Sequence, residues 1–99
     1  MLNITKTVEE TGICFALEGR LDTITSPELE KELKESIGDK SELVFDFENL
    51  EYISSAGLRV LLSAQKIMNK QGSMVVKNVN ETVMEVFEVT GFSDILPIE

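Results

Sequence analysis

The sequence contains no histidine, no tryptophan and only one cysteine, Cys14. Without histidine, the chain can form neither a Ser-His-Asp triad nor a metal site with histidine ligands. A single cysteine cannot close an internal disulfide or build a metal site from several thiolates. Because Cys14 stands inside an apolar run, we expect it to be a small buried hydrophobic residue. We expect no catalytic residue, no metal and no cofactor.

Basic residues are also scarce, with nine Lys and Arg against eighteen Asp and Glu, which gives a net charge of −9. A surface this acidic repels phosphate backbones and anionic headgroups, so nucleic acid is not expected as a partner. The charge either keeps a small protein soluble or steers it towards a basic partner. No apolar stretch approaches the roughly 20 residues that span a bilayer, and the first residues do not resemble a signal peptide. These features predict a cytoplasmic protein without a membrane-inserted segment.

Sequence motifs of common enzyme sites are mostly missing. Neither a G-x-G-x-x-G sequence nor a Walker A sequence occurs. Residues 55–57 match half of the G-x-S-x-G nucleophile elbow, but Ile53 stands where its first glycine belongs. Asp46 and Glu48 lie two apart on a predicted strand and so share a face, which allows an acid pair or a metal site. Two exposed or capping acids are the favoured interpretation, and we predict that the chain is not an enzyme.

The 99 residues have room for one domain, predicted to cover residues 1–99, and 42% of them are hydrophobic. Alternating apolar residues predict strands over residues 2–8 and 12–18. The Gly-ended turn between them predicts a hairpin, and Gly19 is predicted to end the second strand.

Three helices are predicted. The first begins with Ser26 as its N-cap and Pro27 in the first helical position, where a missing N–H is harmless. The second covers residues 56–70 and is apolar around so much of its circumference that it should be the most buried of the three. Asn80 is predicted to cap the third, over residues 81–90.

The remaining apolar segments predict further strands. Residues 43–47 are almost continuously apolar, which is typical of a central strand covered on both faces. A short turn through Asn49 and Tyr52 follows, and residues 73–77 form another strand. Residues 95–98 form a closing strand or a tail. Strand–helix–strand crossovers imply parallel pairing, so the fold class is α/β, with a mixed sheet of four to five strands and three or more helices.

Residues 52–59, Tyr-Ile-Ser-Ser-Ala-Gly-Leu-Arg, join the central strand to the second helix. The free N–H groups of a helix start point outward and carry the positive end of the helix dipole. A phosphate on Ser54 or Ser55 would be stabilised there. Alternatively, one of these serines is only an N-cap, and Gly57 only allows close packing.

Three motifs in this order resemble the STAS domain family of anti-sigma-factor antagonists, and the resemblance covers essentially the whole chain. They are Gly19-Arg20-Leu21-Asp22, then Tyr52-Ile53-Ser54-Ser55-Ala56-Gly57-Leu58, then Val89-Thr90-Gly91-Phe92.

The resemblance implies a binding module that captures an anti-sigma factor with serine-kinase activity and so frees a sigma factor. It implies that phosphorylation of one serine breaks the capture, and it leaves room for a phosphatase as a further partner. Matched to the family motif, that serine is Ser55. The implied partner-binding residues are Asp22, Ser54, Ser55, Gly57 and Arg59.

One motif position departs from the family, because Ser54 stands where the family usually has Asp. The serine can still cap the helix, so the fold should tolerate the change. The alternative function is a constitutive STAS adaptor or scaffold subunit, for example in lipid transport or a sensory assembly. In that case Ser55 would be a cap and not a switch.

Overall fold

A computed structural model describes residues 2–99 of the chain. Four strands, three α-helices and one turn of 3-10 helix alternate along it. In chain order they are β1 (Leu2–Val8), β2 (Gly12–Leu21), α1 (Ser26–Ser36), β3 (Glu42–Ile53), α2 (Ser55–Gln71), β4 (Ser73–Lys77), α3 (Glu81–Thr90) and the 3-10 turn Phe92–Asp94.

The strands form one mixed sheet in the order β1-β2-β3-β4. β1 and β2 are the predicted antiparallel hairpin, and β2, β3 and β4 are parallel, as the helical crossovers require. The segment predicted as a closing strand or a tail forms a single parallel bridge between Ile98 and Val76 on β4. The predicted α/β architecture is therefore confirmed, with four strands in the sheet.

The hydrophobic core lies on one face of this sheet, under the three helices. Ile13 pairs with Leu43 and Phe15 with Phe45, and all four side chains are buried in a single apolar cluster. The alternate residues, including Cys14 and Val44, are only half-buried. The expectations that Cys14 is buried and that β3 is covered on both faces were therefore wrong, because the helices leave the other face open.

Two strands continue past their predicted ends. β2 runs through Gly19, whose φ of 102° accompanies a register shift between Gly19 and Arg20. β3 runs on to Ile53 instead of turning at Asn49, again across a register shift opposite Ala16. These irregularities absorb the extra residues as β-bulges, which interrupt the alternation of side chains without ending the strand. Both extensions bring motif residues to the same end of the sheet.

The helices begin and end close to the predictions, with one exception. α2 buries six side chains or glycines, more than either neighbour, as predicted. Asn80 caps α3, and its side-chain oxygen accepts from the Val83 amide at 2.8 Å. Ser26, however, is the first residue of α1 and not its cap. Its hydroxyl donates to the Asp22 carbonyl oxygen, and the residue that flanks the helix is Thr25.

In the part of the chain that the structure describes, no helix is both long enough and apolar enough to cross a membrane.

Candidate functional site

Two of the three motifs meet at the carboxyl ends of β2 and β3. Leu21 pairs with Ile53 as the last residue pair of the two strands. One residue further on, the Ser54 amide donates to the Leu21 carbonyl oxygen at 2.9 Å. The chain then leaves β2 through Asp22 and leaves β3 into α2 at Ser55. The pairing therefore places these two segments side by side, although more than thirty residues separate them in the sequence.

The two adjacent serines have different positions at the start of α2. Ser54 is the N-cap, and its side-chain oxygen accepts from the Gly57 amide at a long 3.4 Å. Ser55 is the first helical residue, and it is exposed to solvent. The first-turn N–H groups of a helix stabilise an anion placed at this end. The hydroxyl of Ser55 is thus accessible to a modifying enzyme, while Ser54 carries the structural cap.

Gly57 is a packing residue of this site and offers no surface to a partner. It is buried, and a Cβ atom added to it would lie 2.8 Å from Ile53 Cγ1 and 2.8 Å from Leu21 Cγ. Such distances are shorter than carbon atoms tolerate, so only glycine lets α2 approach the strand ends this closely. The expectation of close packing is confirmed. Direct partner binding by Gly57 does not fit its burial.

The loop between β2 and α1 is held by the carboxylate of Asp22. Its Oδ1 atom accepts from the backbone amides of Ile24 and Thr25, both at 3.0 Å. The Thr25 hydroxyl shares its one proton between the Arg20 carbonyl oxygen at 2.8 Å and Asp22 Oδ1 at 3.2 Å, and its oxygen accepts from the Asp22 amide at 2.8 Å. Asp22 rather than Ser26 therefore satisfies the backbone donors that precede α1, as acceptor side chains do in Asx turns.

These hydrogen bonds favour the ionised form of Asp22. The pKa of the Asp22 carboxyl lies below its usual value, chiefly because the Thr25 amide donates to it. The Ile24 amide, the Thr25 hydroxyl and the Arg20 charge lower the pKa further. Desolvation raises it, but by less than the Thr25 amide lowers it. The Arg20 guanidinium lies 4.0 Å from Asp22 Oδ2. At neutral pH the loop is thus closed around a carboxylate.

Arg20 and Tyr52 form a contact at this site that the sequence did not indicate. They are register partners on β2 and β3, and the guanidinium carbon lies 4.4 Å from the centre of the tyrosine ring. A cation in this position is attracted to the face of the ring. The contact can be recognised only once the register is known, because the bulge at Glu51 on β3 decides which residue faces Tyr52.

Arg59 lies one helical turn beyond Ser55, at the spacing that puts two side chains on the same side of a helix. It is exposed. With Ala56 and Val60 it forms one wall of a groove of about 180 Å³, and Thr23, Ser26, Pro27 and Glu30 line the other side. Asp22, Ser54, Ser55 and Arg59 therefore lie at one end of the molecule.

The acids at Asp46 and Glu48 lie away from this site and do not form a pair. Asp46 Oδ1 accepts from the Glu48 amide at 3.0 Å and from the Asn78 side chain at 2.9 Å. The Asn78 hydrogen bond is the main reason that the pKa of Asp46 lies below its usual value. The favoured interpretation, a capping acid, is confirmed for Asp46.

The comparisons with known proteins agree on one family. The family model of the STAS domain matches residues 3–99. A protein of Bordetella bronchiseptica named putative anti-sigma factor antagonist BtrV is 42% identical over 85 residues, covering 83% of this chain and 72% of that protein. The anti-sigma-B factor antagonist of Bacillus subtilis is 28% identical over 98 residues, covering 98% of this chain and 90% of that protein.

A solved structure shows the same fold. The crystal structure of an anti-sigma factor antagonist from Mycobacterium paratuberculosis superimposes with a TM-score of 0.88, covering 99% of this chain and 85% of that one at 20% identity. With the family match over nearly all its residues, the chain belongs to the STAS domain family.

Proposed function

We propose that this chain is an anti-sigma-factor antagonist, a single STAS domain that acts as a cytoplasmic binding module and not as an enzyme. Unphosphorylated, it captures an anti-sigma factor that is also a serine kinase. Phosphorylation of Ser55 by that kinase releases it, and a phosphatase restores the binding form. The relatives named above supply the class of partner.

One observation carries the assignment of Ser55 as the switch. Its hydroxyl is exposed at the N-terminus of α2, beside the loop that Asp22 holds, while the neighbouring Ser54 already caps the helix. A phosphoryl group on Ser55 adds about −1.5 to −2 charges. The helix dipole and the Arg59 side chain stabilise these charges within the domain itself. The fold of the domain should therefore tolerate the modification.

The same phosphate has the opposite effect on a partner. Capture would bury the surface around Ser55, so a partner must desolvate the added charge and meet it together with the Asp22 carboxylate. A misplaced charge in an interface costs on the order of 2–5 kcal/mol, which is tens- to thousands-fold in affinity. Local electrostatics are sufficient for release, and no large conformational change is required.

The replacement of the family Asp by Ser54 is compatible with this mechanism. Ser54 accepts from the Gly57 amide, as an aspartate in that position would. The substitution removes one negative charge next to Ser55, which lowers the repulsion that a phosphate on Ser55 meets within the domain. Ser54 therefore supports the switch by shaping the helix start and not by acting on the hydroxyl.

The test uses the serine kinases encoded by the host genome, each purified and mixed with the chain. With ADP, one of them should form a stable complex on size exclusion. With ATP, the same kinase should add one phosphate to Ser55, seen by intact mass and peptide mapping, and the complex should dissociate. If a kinase is bound but never phosphorylates Ser55, the constitutive adaptor function replaces this proposal.

A further inference from the structure

Ile24 is an apolar side chain presented to solvent beside the candidate site. It is 87% exposed, more than any other large hydrophobic residue among residues 2–99. Its neighbours Thr23 and Thr25 are polar, and the loop that contains all three connects β2 to α1. Single exposed apolar residues are ordinary on protein surfaces, so exposure alone assigns no role to Ile24. Two further features of the loop do.

The first feature is that the loop is fixed before any partner binds. The Ile24 amide donates to Asp22 Oδ1. The amide and the hydroxyl of the next residue, Thr25, lie within hydrogen-bond distance of the same oxygen. The Thr25 hydroxyl is also bound to the end of β2 through the Arg20 carbonyl oxygen. A β-branched side chain on such a loop loses little conformational freedom on binding, and this preorganisation increases affinity.

The second feature is continuity with the start of α2. Thr23, next to Ile24, lines the groove whose opposite wall is formed by Ala56 and Arg59, the residues that follow Ser55. The rim of this groove is polar, with Thr23, Glu30 and Arg59. Ile24 lies next to the Thr23 edge of this groove and not in it, so an exposed apolar side chain stands beside a polar rim, an arrangement also found at binding hot spots.

We propose that Ile24 is the apolar anchor of the partner surface, seated in an apolar pocket of the anti-sigma factor, and that Asp22 is the positioning residue that presents it. This proposal rests on the proposed function and specifies how that surface binds. In it, Asp22 acts through its oxygen acceptors and not through a charge–charge contact with the partner. Three donors already use its Oδ1 atom, and its Oδ2 atom faces Arg20.

The same arrangement explains how one end of the domain combines affinity with release. Ile24 supplies apolar contact that does not depend on phosphorylation, and Ser55 supplies the charge that overrides it. A kinase bound to Ile24 therefore stays in contact with the loop while it reaches the Ser55 hydroxyl. It dissociates after phosphorylation because desolvating the phosphate in the interface costs free energy.

The experiment uses the serine kinase that the parent captures. In the presence of ADP, the affinity of this kinase is measured for three variants, Ile24→Ala, Asp22→Asn and Asp22→Ala. Val8→Ala is the matched control, because Val8 is β-branched, 57% exposed and at the opposite end of the hairpin. Ile24→Ala should weaken capture about tenfold or more, and Val8→Ala should leave it unchanged. Asp22→Asn keeps an acceptor oxygen and should bind like the parent, whereas Asp22→Ala should bind like Ile24→Ala.

The outcomes separate the two proposals. If Ile24→Ala binds like the parent while Ser55→Asp is weakened, the anchor is refuted and the proposed function stands. If Asp22→Asn is as weak as Asp22→Ala, although both keep the parent's thermal unfolding, Asp22 is a charge contact and its positioning role is overturned. If the parent captures none of the host's serine kinases, the proposed function fails and this inference fails with it.

Discussion

The Ser54 amide donates to the carbonyl oxygen of Leu21 at 2.9 Å, and this hydrogen bond joins the two motifs of the site. It lies one residue from Asp22 on one side and one residue from Ser55 on the other. Both residues follow strands that end in the buried pair Leu21 and Ile53, so their positions are fixed by the sheet. A site built on strand ends holds its geometry more rigidly than one built on loops alone.

The charge at position 55 should control capture without controlling the fold. Ser55→Asp is expected to weaken binding of the kinase by about tenfold or more, because the carboxylate must be desolvated in the interface. Ser55→Ala should still bind and should not be released by ATP. Calorimetric titration with and without ATP measures both effects. Ser73→Asp adds the same charge to an exposed residue at the far end of the sheet and should bind like the parent.

The melting temperature of Ser55→Asp should stay within a few degrees of the parent, since acids at a helix start are stabilising. Undiminished capture by Ser55→Asp would make Ser55 a surface residue outside the interface.

Arg59 should lower the second pKa of a phosphate on Ser55. Its side chain is four residues further along α2, where the guanidinium can approach the phosphate, and a nearby cation favours the dianion. In phosphorylated protein the ³¹P titration midpoint is therefore expected below about 6. Arg59→Gln should raise it, and Lys66→Gln, which removes an exposed charge farther along the helix, should not. Identical midpoints in parent and Arg59→Gln would show that the two groups do not meet.

A methyl group at position 57 should destabilise the domain. Gly57→Ala places Cβ 2.8 Å from side-chain carbons of both Ile53 and Leu21, which are buried and cannot withdraw easily. Overpacking of this kind costs about 1–3 kcal/mol, and the better helix propensity of alanine offsets roughly 1 kcal/mol of it. We expect a net loss of up to about 2 kcal/mol, measured by urea unfolding.

The same substitution in a Leu21→Ala background serves as the control for contact. There the clash with Leu21 is removed while the one with Ile53 Cγ1 remains, so the cost of Gly57→Ala should shrink. An equal cost in both backgrounds would place the strain elsewhere.

Removing the Asn78 side chain should raise the pKa of Asp46 towards its ordinary value, because the Asn78 hydrogen bond is the main cause of its lowering. Asn78 has a φ of 60°, so Asn78→Gly deletes the amide without the backbone strain that alanine would add. A lowered carboxyl pKa contributes stability above the unfolded value, about 3.9, which is lost as the pH falls through the folded pKa.

The free energy of unfolding of Asn78→Gly should therefore approach that of the parent as the pH falls through the folded pKa of Asp46, whereas a gap remains at neutral pH. Carboxyl carbon NMR titration reports the Asp46 pKa directly. A gap that is the same at every pH would mean that Asp46 does not carry the effect.

The order of strands and helices could be predicted from the sequence, because local patterns decide it. Alternation marks β1 and β2, the crossovers force parallel pairing of β3 and β4, and Asn80 caps α3 as its position indicates. The strand, crossover and cap signals are local in the chain, so the sequence alone determined the order of the elements.

Tertiary structure decided the features that depend on register and on which face is covered. The bulge at Glu51 on β3 sets Arg20 opposite Tyr52, and no local pattern predicts a bulge of this kind. Cys14 is half-exposed because all three helices pack on the other face of the sheet, a choice made by the whole core. Asp22 folds back onto its own loop and leaves Ile24 in solvent, and Ser26 donates to the Asp22 carbonyl oxygen instead of capping α1. Long-range packing and hydrogen bonding determine these positions, and neither can be read from composition or periodicity.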